Sequence, residues 1–288
     1  MKAAPNIVND HRLIAFTTPE TYAVRLSPLI HRKGWTPIWC PSITTKPTTI
    51  TNSSLLHHLS LLNQFSAIAF TSRSGISAFS DALSHLNSPP YDHHNEQQLT
   101  VCALGNDSLL INDTNFVDKL CAKNDKVKIL VPEVSTPSGM VEALGLGFGR
   151  KVMCPVPLVV GLEEPVVVPN FIRDLGLNGW VVVRVDAYET RWLGEECAAA
   201  VVGDGGCAVD AVVFTSTGEV EGMLKSLKAM GLDWEDVVKR NPGMVVAAHG
   251  PVTAAGAESL GVAVDVVGSK FGSFEGVVDA LAHFWDRN

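Results

Sequence analysis

The chain has 288 residues, of which 46% are hydrophobic and 18% charged. That length suits one large or two ordinary hydrophobic cores, and the composition excludes a disordered or fibrous chain. The net charge of −8, without any basic run, excludes a nucleic-acid partner, so an anionic ligand has to be held by local groups.

Residues 13–17 predict a first strand, and Thr18-Pro19-Glu20 opens a helix with proline at its first position, where helices favour it. That helix stops at Gly34, a second strand covers residues 35–40, and Pro41 punctuates. Residues 42–50 are Thr-rich and extended, more a linker ribbon than a core strand. A helix over 55–62 precedes a strand closing on Phe70, and residues 86–98 form a surface loop. Then come a turn unit at Gly105, a buried strand over 127–131, a Pro/Ser/Thr turn over 132–138, and strands over 151–154 and 180–185. Residues 203–206 make a tight turn, after which strand–helix units repeat to Trp285.

Strands separated by helices throughout predict an α/β fold with parallel, doubly wound sheets. Three strands end in a hydroxyl pair that starts a helix: Phe16-Thr17-Thr18, Phe70-Thr71-Ser72 and Phe214-Thr215-Ser216. Two of them have a matching second unit. Leu104-Gly105-Asn106-Asp107-Ser108 places its glycine 34 residues after Thr71, and His249-Gly250-Pro251-Val252-Thr253 places its glycine 35 after Thr215. The shared order and spacing read as two copies of one α/β half. The first strand–helix–strand has no partner pair nearby. Residues 1–41 and 190–288 are therefore expected to form one discontinuous lobe, with residues 42–189 as an inserted second lobe. A ligand is expected beyond the carboxyl ends of the strands, where these turns point.

Helix starts with free N–H groups, flanked by hydroxyls, suit an anion. Thr17, Thr71, Ser72, Gly105, Ser108, Thr215, Ser216, Gly250 and Thr253 are the binding candidates on that ground. Each hydroxyl also reads as an ordinary N-cap, and the repetition of the arrangement is what raises the set above capping alone. Arg25, Arg73, Arg184 and Arg191 are the charged candidates by placement, and each also reads as a solvated surface residue. Gly145-Leu146-Gly147-Phe148-Gly149 follows a helix, which makes it a turn and not a dinucleotide loop. His57-His58 and His93-His94 lack partners at ligand spacing, so no metal is expected. Six cysteines (Cys40, Cys102, Cys121, Cys154, Cys197, Cys207) without a Cys-x-x-Cys pair predict reduced thiols. Residues 1–10 have neither a secretory signal nor a transit-peptide pattern, and no apolar stretch approaches a membrane span. A cytosolic protein is expected, or one of the plastid stroma if a targeting segment lies outside this chain.

Phe-Thr-Ser before a helix, and His249-Gly250-Pro251-Val252-Thr253-Ala254-Ala255 before another, resemble uroporphyrinogen-III synthase. Val185-Asp186-Ala187-Tyr188-Glu189-Thr190 is similar to that family's V-x-x-Y-x-T crossing, and residues 274–280 resemble its closing helix. The likeness covers nearly the whole chain, strongest over 210–280 and weakest over 130–180. It implies two flavodoxin-like or Rossmann-like lobes joined by a two-stranded β ladder. It implies a monomer that needs no cofactor or metal and cyclises the linear tetrapyrrole hydroxymethylbilane, inverting ring D and losing water. Tyr188 would be the catalytic group, a phenol donating a proton to the departing hydroxyl, and its other reading is a packed hinge residue. The hydroxyl turns, with Arg25 and Arg184, would hold the substrate carboxylates.

Three departures stand out. Residues 155–161 (Pro-Val-Pro-Leu-Val-Val-Gly) are apolar where the family usually has a Ser/Lys-containing turn. His249 replaces a more usual aliphatic residue, and Asp107 an expected neutral one. Two further functions therefore stay open: a family-shaped protein binding a tetrapyrrole or other anion, or cyclising another substrate; and a Rossmann-like oxidoreductase, disfavoured by the missing glycine fingerprint.

Overall fold

The computed structural model describes residues 11–91, 98–113, 115–202, 208–270 and 273–287. The turn expected at 203–206, the His93-His94 pair and Cys207 lie outside the described residues. Among these residues the strands are β1 (Leu13–Phe16), β2 (Thr36–Trp39), β3 (Ile43–Lys46), β4 (Ala67–Phe70), β5 (Leu99–Ala103), β6 (Val127–Leu130), β7 (Lys151–Val160), β8 (Val181–Trp192), β9 (Ala211–Phe214), β10 (Val245–Ala248) and β11 (Val266–Val267). The helices are α1 (Glu20–Arg32), α2 (Thr49–Ser60), α3 (Arg73–Ser84), α4 (Leu109–Asp113), α5 (Phe116–Leu120) and α6 (Pro137–Leu144). They continue with α7 (Val167–Leu177), α8 (Glu196–Val202), α9 (Thr217–Ala229), α10 (Trp234–Arg240), α11 (Pro251–Ser259) and α12 (Glu275–Arg287).

Two compact units divide the chain. Unit 1 comprises Met1–Thr44, Gly161–Glu163 and Arg191–Asn288; unit 2 comprises Thr45–Val160 and Glu164–Thr190. The five-stranded sheet of unit 1 has the order β11-β10-β9-β1-β2, and its pairings are parallel. Its central strands are buried on both faces, so β9 reads Ala-Val-Val-Phe without alternation. Side chains nonetheless alternate in destination. Ala15, Val212, Phe214 and Val246 join a core with α8, α9 and α10, while Ile14, Phe16, Ala211, Val213 and Ala247 join one with α1 and α12. The second sheet has the order β3-β8-β7-β4-β5-β6. In unit 2, Ile68, Phe70, Val101 and Ala103 face α2, α3 and α5, and Ala67, Ala69, Cys102 and Val152 face α6 and α7. Each fully buried Ile, Leu or Phe side chain contributes roughly 1.5–3 kcal/mol, which is what holds these layers together. Five cysteines, Cys40, Cys102, Cys121, Cys154 and Cys197, are free thiols buried in these cores.

Two elements differ from expectation. Residues 42–50 are not a ribbon throughout: β3 takes an edge place in the second sheet, and α2 has begun by Thr49. The reason is a reciprocal cap, with Thr51 N–H donating to Thr48 Oγ1 and Thr48 N–H to Thr51 Oγ1. The strand near 127–131 forms, but as a half-buried edge strand, because β6 closes the order and has a neighbour on one side only.

Candidate functional site

In unit 2 the fully buried β4 runs into Thr71 and Ser72, and Ser72 is the N-cap of α3. Its backbone is extended and its Oγ accepts from Gly75 N–H at 3.1 Å, satisfying one of the free donors of the first turn. A Cβ on Gly75 would stand 3.2 Å from the Pro155 carbonyl oxygen, so α3 lies close against β7 there. Strand β8 brings Tyr188, 6% exposed, to the same point: its hydroxyl is 2.9 Å from Ser72 Oγ. Beside β4, β5 ends in a 3₁₀ turn over Gly105–Ser108. Gly105 has φ +44°, and Ser108 donates to its carbonyl at 2.7 Å. Arg73 lies 3.8 Å from Asp107, which ties the α3 start to that turn. Thr71, Ser72 and the Gly105–Ser108 turn thus sit at the ends of the neighbouring strands β4 and β5, and Tyr188 reaches Ser72 from within β8. Half-buried Thr71 completes that group.

In unit 1 the carboxyl ends of β1, β9 and β10 are neighbours. Thr17 is fully buried, and Thr18 and Thr215 hydroxyls are 3.0 Å apart. Thr253, in the first turn of α11 after Gly250 and Pro251, donates to the Thr215 carbonyl at 3.2 Å. At the centre is a residue that motif reading passed over, Glu219. Its carboxylate is 1% exposed and accepts from Thr17 Oγ1 at 2.9 Å, Thr215 N–H at 2.9 Å, Thr215 Oγ1, and Ser216 Oγ at 3.2 Å. Burial raises its pKa above the usual carboxylate range, and the bonds from Thr215, Thr17 and Ser216 oppose that shift. The signal was legible: Ser216-Thr217-Gly218-Glu219 has the S-x-x-E spacing of a capping box. Here the glutamate reaches one residue further back, to the amide of Thr215.

Arg73 is the basic candidate that adjoins a hydroxyl turn, through Asp107. Arg184, on β8, is bound to Glu164, to Asp186 at 3.1 Å and to the Pro157 carbonyl at 3.0 Å. Burial opposes its charge, but the two carboxylates outweigh it and raise its pKa above the ordinary value. Arg25 is exposed on α1, its guanidinium over the Phe274 ring at 5.2 Å, and Arg191 is exposed on β8. Neither adjoins the hydroxyl turns through any of these contacts. Among the described residues no group of three or more His, Cys, Asp or Glu is placed to hold a metal, and no helix is long and apolar enough to cross a membrane.

A family model described as "Uroporphyrinogen-III synthase HemD" matches residues 24–277. A crystal structure of a mutant uroporphyrinogen III synthase from Thermus thermophilus is similar in fold, with a TM-score of 0.61 and 16% identity over 96% of this chain and 100% of that one. The wild-type structure from the same organism aligns with a TM-score of 0.48 and 15% identity, over 96% of this chain and 98% of that one. No curated protein matches the sequence.

Proposed function

Because the chain belongs to the uroporphyrinogen-III synthase family and so serves tetrapyrrole biosynthesis, we propose that it cyclises hydroxymethylbilane to uroporphyrinogen III. The reaction loses one water. The hydroxymethyl carbon–oxygen bond breaks to leave an electrophilic azafulvene, with the pyrrole nitrogen supplying the electrons. Ring D then attacks through its substituted carbon, the spiro intermediate fragments, and the macrocycle closes with ring D inverted. The protein's tasks are to help hydroxide depart as water and to enforce the folded geometry. Positioning contributes several kcal/mol of such a barrier by itself. No group besides the substrate's own pyrroles has to supply or accept electrons, which supports a cofactor-independent cyclase. We place it as a monomer in the cytosol or the plastid stroma.

The observation that carries the reading is the hydrogen bond between Tyr188 and Ser72. Ser72 Oγ already accepts from Gly75 N–H, so its own proton is available to the phenol oxygen. With Ser72 donating, this bond does not consume the Tyr188 proton, and a phenolate formed after transfer would keep a hydrogen-bond donor. The carboxylates of the substrate suit the N–H groups that open α3 and α11, helped by Thr71, Ser72, Ser108 and Thr253. Each helix start is worth roughly 0.3–1 kcal/mol to an anion near the surface.

Incubating the protein with enzymatically generated hydroxymethylbilane, followed by separation of the isomers, tests the reading. Isomer III above the uncatalysed background is the expected result. Isomer I alone would overturn it. Tight binding of uroporphyrin without turnover would favour a second reading, a non-catalytic tetrapyrrole binder.

A further inference from the structure

After the shared Thr-Ser pair the two related turns diverge, Arg73-Ser74-Gly75 against Thr217-Gly218-Glu219, and the last of these positions sets them apart chemically. Three residues after Ser72 comes Gly75, and three residues after Ser216 comes Glu219. In unit 2 that position contributes only its backbone N–H, which Ser72 Oγ accepts, and the serine hydroxyl is left for Tyr188. In unit 1 the same position sends a carboxylate back over the start of its own helix. There it collects one amide and three hydroxyls from two strand ends, Thr17 after β1 and Thr215 and Ser216 after β9. The donors converge from outside the helix as well as from its first turn. Backbone N–H together with clustered hydroxyls is what an external carboxylate would need at that place.

We propose that Glu219 is an internal stand-in for a ligand carboxylate. It occupies the Thr17–Thr215–Ser216 cluster, so the turn before α9 refuses a substrate acid group while its counterpart before α3 selects it. Glu219 is thereby a specificity-determining residue. The proposal rests on the reading of the substrate as a polycarboxylate. Thr18 extends the cluster: Thr215 donates to Glu219, so the 3.0 Å contact between Thr18 and Thr215 has Thr18 as donor. Every hydroxyl in the line therefore points its proton toward the carboxylate, and none is turned to receive a second anion.

Two variants test this, with formate as a small carboxylate probe and uroporphyrin III as a polycarboxylate. Glu219→Gly gives unit 1 the residue that unit 2 carries, and opens a carboxylate-sized space among intact donors. Formate is expected to raise its thermal midpoint by roughly 2–5 °C over chloride at equal ionic strength, and to leave the wild type and Glu219→Gln unmoved. Glu219→Gln keeps the shape and removes a negative charge near the turn. It is expected to bind uroporphyrin III roughly threefold to tenfold more tightly than the wild type in a fluorescence titration. A folded Glu219→Gly indifferent to formate would overturn the proposal, as would equal or weaker binding by Glu219→Gln. If Glu219→Gly does not fold, the Gln variant decides alone. Absence of hydroxymethylbilane turnover by the wild type would remove the proposed reaction while leaving the formate result standing.

Discussion

The phenol hydroxyl of Tyr188 is the proton donor that the proposed reaction assigns to the departing hydroxide. Tyr188→Phe keeps the ring in the core that holds Val185 and Phe70 and removes only that proton. General acid help is worth about 10²–10⁴-fold, and because the azafulvene also forms unaided in water, the loss is expected at roughly tenfold to a hundredfold in kcat. Product affinity should change little, and the product should shift toward isomer I. Steady-state assays with chromatographic separation of isomers check both; equal rates and ratios would make Tyr188 a packing residue. Glu219 gives a second prediction at this scale. Its pKa is raised in the folded protein, so between the ordinary carboxyl value of 4.5 and the raised one the folded state holds the extra proton. Stability from this group is therefore full below that window and is lost as pH rises through it. The other titratable group electrostatically coupled to it is the buried Cys40 thiol, which stays neutral across this range. Urea midpoints of the wild type should fall relative to Glu219→Gln as pH rises from about 4.5, and parallel curves would refute this.

At the scale of elements, the strand-to-helix turns were legible because each signal is local. Thr17, Ser72 and Ser216 follow apolar β-branched or aromatic runs, and those runs are β1, β4 and β9. Apart from one local cap, what escaped was set by partners far along the chain. The Thr48–Thr51 cap was readable, yet a threonine-rich ribbon masked it; β6 had a core-strand composition, and only the sheet order put it at an edge. Glu219 stands in the first turn of α9, while its role depends on Thr17, 202 residues away. Helix crossing is similarly invisible in one dimension. Gly256 in α11 faces Thr217 in α9 so closely that a Cβ would stand 2.1 Å from Thr217 Oγ1 and 2.6 Å from its Cγ2. Thr217 is β-branched and has little rotameric escape. Gly256→Ala is expected to destabilise the protein by roughly 1–3 kcal/mol despite its better helix propensity, measured by urea denaturation. An unchanged or raised midpoint would show that α9 and α11 yield at no cost.

For the whole molecule, the net charge of −8 has the same sign as the carboxylates of the proposed substrate, so long-range attraction would contribute nothing to its capture. Amides and hydroxyls are short-range donors whose strength salt hardly alters, whereas cation-held anions lose affinity steeply as ionic strength grows. Uroporphyrin III affinity is expected to change by less than about threefold between 50 and 500 mM sodium chloride, read by fluorescence titration. A steep fall would transfer the binding role to the arginines. The α/β architecture itself could be read from alternation of strands and helices, because both sheets are covered by helices and the inner strands β1, β4, β9 and β10 are apolar throughout.

The buried cysteines have a use that their chemistry alone does not suggest. Burial pushes Cys40, Cys102 and Cys154 up to about 12, so at neutral pH almost none of the reactive thiolate exists while the cores stay closed. An alkylating reagent then acts as a clock on opening. Cys40 and Cys197 time unit 1, and Cys102, Cys121 and Cys154 time unit 2. In a Cys207→Ser background, mass spectrometry of iodoacetamide-labelled peptides would therefore give two opening rates from one sample, without any introduced probe. Whichever set is modified first names the half of the molecule that breathes more often.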